Sequence, residues 1–314
     1  MSTKIIVLGS INYDIVAKST RLPNIGETVE GTSIDMYVGG KGSNQAVQSA
    51  MLGAQTFFIG STGSDQQGIA VRNGISSKGV DIRYLNISST HRTGCASIFI
   101  DSSGDNKLVY APGSNKTITQ DIVDAALKDI ATAEVFITQN EINSDMVYYG
   151  LKKARAAGAT TVLNPAPALP LDKIVFKLVD YITPNETESE TYTGLLRSNM
   201  KLDDWARKNA EWFLERGVKN VCITMGEKGS YFYNGKEEIY LDAFKITPVD
   251  TTAAGDSFNG GFAYGIANKW PIQKCMELGN ACGALASLTI GAQNSICSFD
   301  EVMNFLTNQR GKIT

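Results

Sequence analysis

The chain has 314 residues, with 29 Lys and Arg against 32 Asp and Glu, a formal net charge of −3 and one histidine. A mildly acidic chain without a basic run lacks the electrostatic footprint of a nucleic-acid binder, and the lone His91 excludes a multi-histidine zinc site. Hydrophobic residues at 43% and charged residues at 19% describe a sizeable core, and no apolar stretch approaches the ~18–20 residues that cross a bilayer.

Read in chain order, residues 5–8 form a first strand, and the apolar run there, following Met1-Ser2-Thr3-Lys4, is too short for a secretory leader. A helix is expected over 43–52, stopping at Gly53, then a strand over 57–59 and a helix over 67–78 that ends at Gly79. Residues 97–100 and 108–111 flank the turn-rich Asp101-Ser102-Ser103-Gly104-Asp105-Asn106, a hairpin signal. Residues 27–38 also have β-like composition. Further strands are expected over 135–138, 161–163, 181–183 and 221–224. Helices are expected over 145–157 with Ser144 as cap, 202–216, 256–268, 272–289 and 300–308. Strands alternating with helices imply an α/β, doubly wound, mostly parallel sheet flanked by helices. The extra β segments imply a small antiparallel sheet beside it, either a lid or a plain surface hairpin. Ligands in such folds sit at the carboxyl ends of the strands, so the residues just after each strand are the ones to inspect.

Five cysteines (Cys95, Cys222, Cys275, Cys282, Cys297) form no C-x-x-C pair and read as reduced thiols of a cytoplasmic protein. His91 lies in a polar stretch and reads as a loop histidine.

The most informative segment runs from Val249 through Asp250-Thr251-Thr252-Ala253-Ala254-Gly255-Asp256 into Ser257-Phe258. Small residues lead straight into an apolar-periodic helix, which leaves backbone N–H groups free to hold an anion. Asp256 in the first turn is either a catalytic carboxylate or an ordinary cap. Gly39-Gly40-Lys41-Gly42-Ser43-Asn44-Gln45-Ala46 suggests a phosphate loop but fails the test, because a Walker motif needs Ser or Thr where Gly42 stands. Its glycines would bring backbone close to a small polar ligand, or merely cap a helix. Asn12 and Asp14 follow the first strand and suit the hydroxyls of a sugar. Asn185 and Glu188 have capping-box spacing and are also oxygen ligands fit for hydrated Mg²⁺. Thr224-Met225-Gly226-Glu227-Lys228-Gly229 is a glycine loop after a strand.

These segments, in this order, resemble the ribokinase family of carbohydrate kinases (the PfkB group) over nearly the whole chain, supported by Leu163-Asn164-Pro165-Ala166-Pro167. The resemblance implies one ribokinase-like domain over 1–314 with a β lid formed by about 11–38 and 94–111. It implies Asp256 as catalytic base, with the backbone of Ala253, Ala254 and Gly255 as an anion hole. Asn12, Asp14, Gly39, Gly40, Lys41, Asn44 and Glu141 would bind the sugar, and Asn185, Thr224, Gly226, Gly229, Gly255 and Asn280 the nucleotide. Mg²⁺ would be organised through water by Asn185 and Glu188. A monovalent cation, K⁺, would sit among Asp250, Thr252, Ala286, Thr289, Gly291 and Ser295. Ala253 stands where many members carry Gly, and Gln139-Asn140 precedes Glu141 where an apolar residue commonly follows Gln. The implied activity is ATP-dependent phosphorylation of D-ribose at the 5-hydroxyl. Its rivals are another family substrate (2-deoxyribose, a ketose, a nucleoside) and a non-catalytic sugar sensor on the same fold. The family also implies a homodimer formed through the lid, with Ile34, Met36, Ile98 and Ile100 as candidate contacts.

Overall fold

Burial along the first strand alternates in purpose: Ile6 and Leu8 face one layer of helices, Ile5 and Val7 the other. That is what a sheet sandwiched between helices demands, and it makes the strand apolar throughout. In the computed structural model, residues 3–310 are described. The expectations that touch Met1, Ser2 and 311–314 lie outside the described residues.

In chain order the strands are β1 (Lys4–Leu8), β2 (Asn12–Ser19), β3 (Gly31–Gly39), β4 (Gln55–Gly63), β5 (Asp81–Ser88), β6 (Gly94–Ile100), β7 (Asn106–Ala111), β8 (Val135–Gln139), β9 (Thr160–Asn164), β10 (Tyr181–Ile182), β11 (Asn220–Thr224), β12 (Ser230–Tyr233) and β13 (Glu238–Leu241). The α-helices are α1 (Lys41–Met51), α2 (Gln66–Ser77), α3 (Gln120–Ala125), α4 (Leu127–Ile130), α5 (Ser144–Ala156), α6 (Lys173–Phe176), α7 (Glu186–Thr193), α8 (Leu202–Leu214), α9 (Ala254–Ala267), α10 (Ile272–Ala286) and α11 (Phe299–Arg310).

The large sheet has the order β13-β12-β11-β10-β9-β8-β1-β4-β5. It is parallel from β11 to β5, with β12 and β13 antiparallel at one edge. Successive strands move outward from β1 in one direction to β5 and from β8 in the other, so the switch point lies between β1 and β8. One face packs Ile6, Leu8 and Phe136 against Val147 and Leu151 of α5 and Trp205 and Phe213 of α8. The other packs Ile5, Val7, Val135 and Ile137 against Val47 of α1, Val71 of α2 and Ala263 of α9.

The second sheet has the order β3-β2-β6-β7. Its two outer pairings are antiparallel, as expected, and its central pairing of β2 with β6 is parallel. The cause is connectivity: β2 and β6 continue from β1 and β5, two parallel strands, and leave the large sheet in the same direction. Paired residues share a face, which puts Asp14, Tyr37, Ala96 and Tyr110 on one side. Tyr13, Ile15, Ile34, Met36, Phe99 and Val109 lie on the other. Ile34 is 65% and Met36 57% exposed. Ile98 and Ile100 register with Val16 and Lys18 on the Asp14 side, so they do not join Ile34 and Met36.

Elsewhere the structure corrects the sequence reading at element ends. The cap of α5 is Asn143 rather than Ser144, which is the first helical residue. The start of α9 is Ala254, two residues before the expected 256. The end of α10 is Ala286, and residues up to Thr289 form a turn. Strands β2, β5, β12 and β13 add to those expected.

Candidate active site

The site is built where the chain turns at the switch point. Beyond β1 comes Ser10, beyond β8 come Asn140 and Glu141, and the N-termini of α1 and α9 meet them. At α1 the glycines serve packing. A side chain at Gly42 would come within 2.7 Å of Gly9 Cα and Ser10 N. At Gly40, where φ is +95°, it would come within 2.8 Å of Ile11 Cα. The glycine run therefore lets the helix start against the backbone of the first loop. Its opening amides are all occupied: Ser43 N donates to Ser10 O at 2.9 Å, Gly42 N to Ser10 Oγ at 3.4 Å and Lys41 N to Glu141 Oε2 at 3.3 Å. Ser10 Oγ also donates to Glu141 Oε2.

The N-terminus of α9 is different. Its cap, Ala253, sits in the left-handed region at φ 61° with no side-chain cap bond. Ala254 N donates to Thr251 O at 3.2 Å, which corrects the expected anion hole of Ala253, Ala254 and Gly255 by taking its middle amide out of play; no acceptor among the described residues takes the amide hydrogens of Gly255 and Asp256. A Cβ built on Gly255 would meet nothing within 4 Å. The result is a helix end with two amides unpaired among the described residues and room beside Gly255, a feature suited to an anion.

Asp256, the third residue of α9, is 8% exposed. It is not a cap. Its carboxylate accepts Asn44 Nδ2 at 2.9 Å on Oδ2 and Gln45 Nε2 at 3.1 Å on Oδ1. Burial pushes its acidity down and its pKa up, while the Lys41 ammonium and the Asn44 and Gln45 amides pull the other way. Burial alone would lower Lys41, but Asp256, Glu141 and Glu188 together hold it above its ordinary value.

Asn12 and Asp14 lie at the start of β2, next to α1. Asn12 Oδ1 accepts Asn115 Nδ2 at 2.8 Å, and Asn115 Oδ1 accepts Ile11 N at 3.0 Å. Asp14 is raised to about 6, chiefly by burial, with a backbone bond from Ala96 opposing and Glu141 adding to it. Its Oδ1 is buried without a partner. A side chain at Gly39 would strike Asp14 Oδ2 at 2.2 Å, so Gly39 makes room for this carboxylate. Asn12 and Asp14 pair with the end of β3 (Asn12 with Gly39), Lys41 N donates to Glu141 and Asn44 donates to Asp256, so the expected sugar residues lie in one neighbourhood.

The expected nucleotide residues group in part. Asn185 bridges to Thr224 across adjacent strand ends. Gly226 (φ 54°) and Gly229 (φ 92°) close the turn that follows. Asn280 is on α10 with its Nδ2 buried and unpartnered. Asn185 and Glu188 form a reciprocal capping box: Glu188 N donates to Asn185 Oδ1 at 2.7 Å and Asn185 N to Glu188 Oε2 at 2.9 Å. Burial raises Glu188, opposed by the Asn185 backbone bond and Lys41. Asp250 accepts Thr252 N and Gly291 N, each at 2.9 Å, which ties the α9 approach to the turn after α10. Those bonds hold its carboxyl below the usual range against the opposing pull of burial. Ser295 is buried and donates to Ala292 O at 2.7 Å. Thr252 and Thr289 are exposed, and Ala286 closes α10.

The sequence reading passed over Ser10 as a partner of Glu141, over Asn115 behind Asn12, and over the buried amides of Gln45, Gln139 and Asn164. The last two had a signal: each is an amide closing a fully or almost fully buried strand, after Val135–Thr138 in β8 and Thr160–Leu163 in β9. His91 is exposed, beside Thr90, and far from use. The described cysteines form no disulfide.

A doubly wound sheet whose switch point joins a helix N-terminus with unpaired amides, a buried carboxylate and a set of polar side chains is an arrangement suited to moving a phosphoryl group onto a small hydroxyl compound. Sequence comparison gives the family. The model of the pfkB family carbohydrate kinases matches residues 2–298. A ribokinase of Haemophilus influenzae is 36% identical over 306 residues, covering 98% of this chain and 99% of that protein. A deoxyribokinase of Salmonella typhi is 30% identical over 306 residues, covering 96% and 98%. The solved structure of Arabidopsis thaliana ribokinase complexed with ribose and ATP matches with a TM-score of 0.90 at 27% identity, covering 98% of this chain and 99% of that one. The chain belongs to the pfkB family of carbohydrate kinases.

Proposed function

We propose that this protein transfers the terminal phosphoryl group of ATP to the 5-hydroxyl of D-ribose. The observation that carries the reading is Asp256 on the first turn of α9, directly beside amides that no protein group occupies. Asp256 takes the proton of the attacking hydroxyl, and the Gly255 and Asp256 amides hold the charge that develops on the transferred group. Phosphoryl transfer asks mainly for position and charge stabilisation, and both are supplied by one helix end. Asn12, Asp14, Lys41, Asn44 and Glu141 hold the sugar. Asn185, Thr224, Gly226, Gly229 and Asn280 serve the nucleotide, with the unpartnered Asn280 Nδ2 available as a donor. Support for ribose comes from the relatives named ribokinase, two of them quoted above.

The oxygen donors of Asn185 and Glu188 suit Mg²⁺ held through water, because their direct contacts are spent on each other. Bound there, the ion would neutralise charge on the nucleotide phosphates. The carboxylate of Asp250, bonded to the amides of Thr252 and Gly291, would hold K⁺ together with oxygens of Thr252, Ala286, Thr289, Gly291 and Ser295. An ion beside it would hold the loop that presents the anion-site amides. The smaller sheet acts as a lid whose Asp14 side covers the sugar and excludes water. Its other side, with Ile34, Met36, Phe99 and Val109 exposed, is the face through which two copies pair. Among the described residues no helix is long and apolar enough to cross a membrane, and we assign the protein to the cytoplasm.

The second reading is 2-deoxyribose, favoured by the Salmonella typhi deoxyribokinase. A sensor is disfavoured by the complete transfer centre at α9. A coupled ADP-release assay over pentoses, hexoses and nucleosides tests this. Turnover highest with ribose is expected; a preference for 2-deoxyribose or a nucleoside would overturn the substrate, and no ADP release with any of them would overturn the activity.

A further inference from the structure

Asp256 is held by more than its sugar-side neighbour. Gln45, fully buried, follows Asn44 on α1 and spends every polar atom of its amide. Its Nε2 donates to Asp256 Oδ1 at 3.1 Å and to Asn164 Oδ1 at 3.1 Å, and its Oε1 accepts Gln139 Nε2 at 2.6 Å. Gln139 and Asn164 are paired across the ends of β8 and β9. Asn164 Nδ2 in turn donates to Thr183 O at 3.0 Å. Close packing backs the arrangement. A side chain at Gly9 would lie 2.1 Å from Gln139 Oε1, and one at Gly260 would lie 2.6 Å from Gln48 Cβ and 2.9 Å from Gln45 O. Both glycines let the amides and helices close up.

The polarity of this chain is determined by its end. An ionised carboxylate only accepts, so Gln45 must turn its NH₂ to Asp256 and its oxygen to Gln139. We propose that Gln45, backed by Gln139 and Asn164, is a positioning residue that holds the Asp256 carboxylate in its ionised, proton-accepting orientation. The proposal rests on the reading of Asp256 as base. The charged groups acting on Asp256 are Lys41 from α1, Glu141 after β8 and Glu188 from α7. Lys41 favours the ionised form and the two glutamates oppose it, and burial opposes it most. Removing the Gln45 donor therefore favours the protonated acid, which cannot act as base.

The test is the pH profile of kcat for Gln45→Met, with sugar saturating and Asp256→Asn measured alongside. Its acid limb should move up by about one pH unit, with kcat on that limb down roughly tenfold and kcat at high pH within about threefold of wild type. The sugar KM should change little, since Gln45 is fully buried. Gln139→Met, which frees the amide to rotate, should shift the limb in the same direction by less. The double variant Gln45→Met with Gln139→Met removes one orphaned donor and should recover thermal stability without recovering the limb. Recovery of the limb by the double variant would mean a merely structural role and overturn the proposal. An unmoved limb in Gln45→Met, with Asp256→Asn inactive, would overturn it while leaving the base assignment standing. An active Asp256→Asn would remove the base reading and this proposal with it. If Gln45→Met does not fold, Gln139→Met decides: a limb that stays in place rejects the proposal.

Discussion

Two helices begin at the centre of this molecule, both after small-residue turns, and they solve the problem of a helix N-terminus in opposite ways. At α1 the amides of Lys41, Gly42 and Ser43 are consumed by Ser10 and Glu141. At α9 the amides of Gly255 and Asp256 have no acceptor among the described residues, and a Cβ on Gly255 would meet nothing within 4 Å. The glycines of the first turn exist because neighbouring backbone leaves no room for a Cβ. The glycine of the second meets no such wall, since a Cβ on Gly255 would find nothing within 4 Å, and in the proposed function it leaves room for the phosphoryl group. Similar sequence texture thus hides two physical causes, one of stability and one of function.

The comparison can be broken by alanine. Gly42→Ala forces a Cβ into two backbone segments that cannot swing aside, and should cost about 3 kcal/mol in a urea titration. An unchanged midpoint would show that the first turn is not packed as described. Gly255→Ala should leave stability equal or slightly higher, since alanine is the better helix former, yet lower kcat roughly a hundredfold by filling the anion site. A parallel loss of stability and activity would erase the distinction between the two turns.

Charge sharpens the same contrast. Asp14, raised to about 6 by burial, keeps its proton to higher pH when folded than when unfolded. The stability linked to it is full below its ordinary value near 4 and is lost as pH rises through 6. Asp14→Asn should therefore stabilise the sugar-free protein near pH 7.5 by about 2 kcal/mol while raising the KM for ribose far more than that for ATP. In the wild type the ribose KM should climb as pH falls below 6. Equal stability of the variant at pH 7.5 and a flat KM would show that the carboxylate is not strained by burial. The smallest effect belongs to Ala253→Gly. Ala253 bears a left-handed conformation, so glycine should raise stability by about 1 kcal/mol in a thermal melt with activity kept within about twofold; a lower melting temperature would contradict that.

Much of this was legible before the fold. The alternation of strands and helices marked the parallel sheet, and the small-residue run before Asp256 marked the start of α9 to within two residues. The strand β5 was not legible: as an edge strand it is half-buried along most of Asp81–Ser88, and its polar residues interrupt any apolar run. Strand β2 was hidden because Asn12 and Asp14 read as loop residues, although they pair on both sides. The glycines before α1 looked like room for a ligand, since sequence cannot show that Gly9 and Ser10 already occupy that room. The Gln45 relay escaped for a related reason: Gln45, Gln139 and Asn164 come from three distant segments, and only their meeting gives each a purpose.

The most direct measurement on the central claim is the kcat of Asp256→Asn with ribose and ATP saturating. The account predicts a fall of roughly 10²–10⁴ with ribose still bound and the melting temperature preserved. A loss of less than about fivefold would contradict the assignment of α9 as the place where the phosphoryl group is transferred.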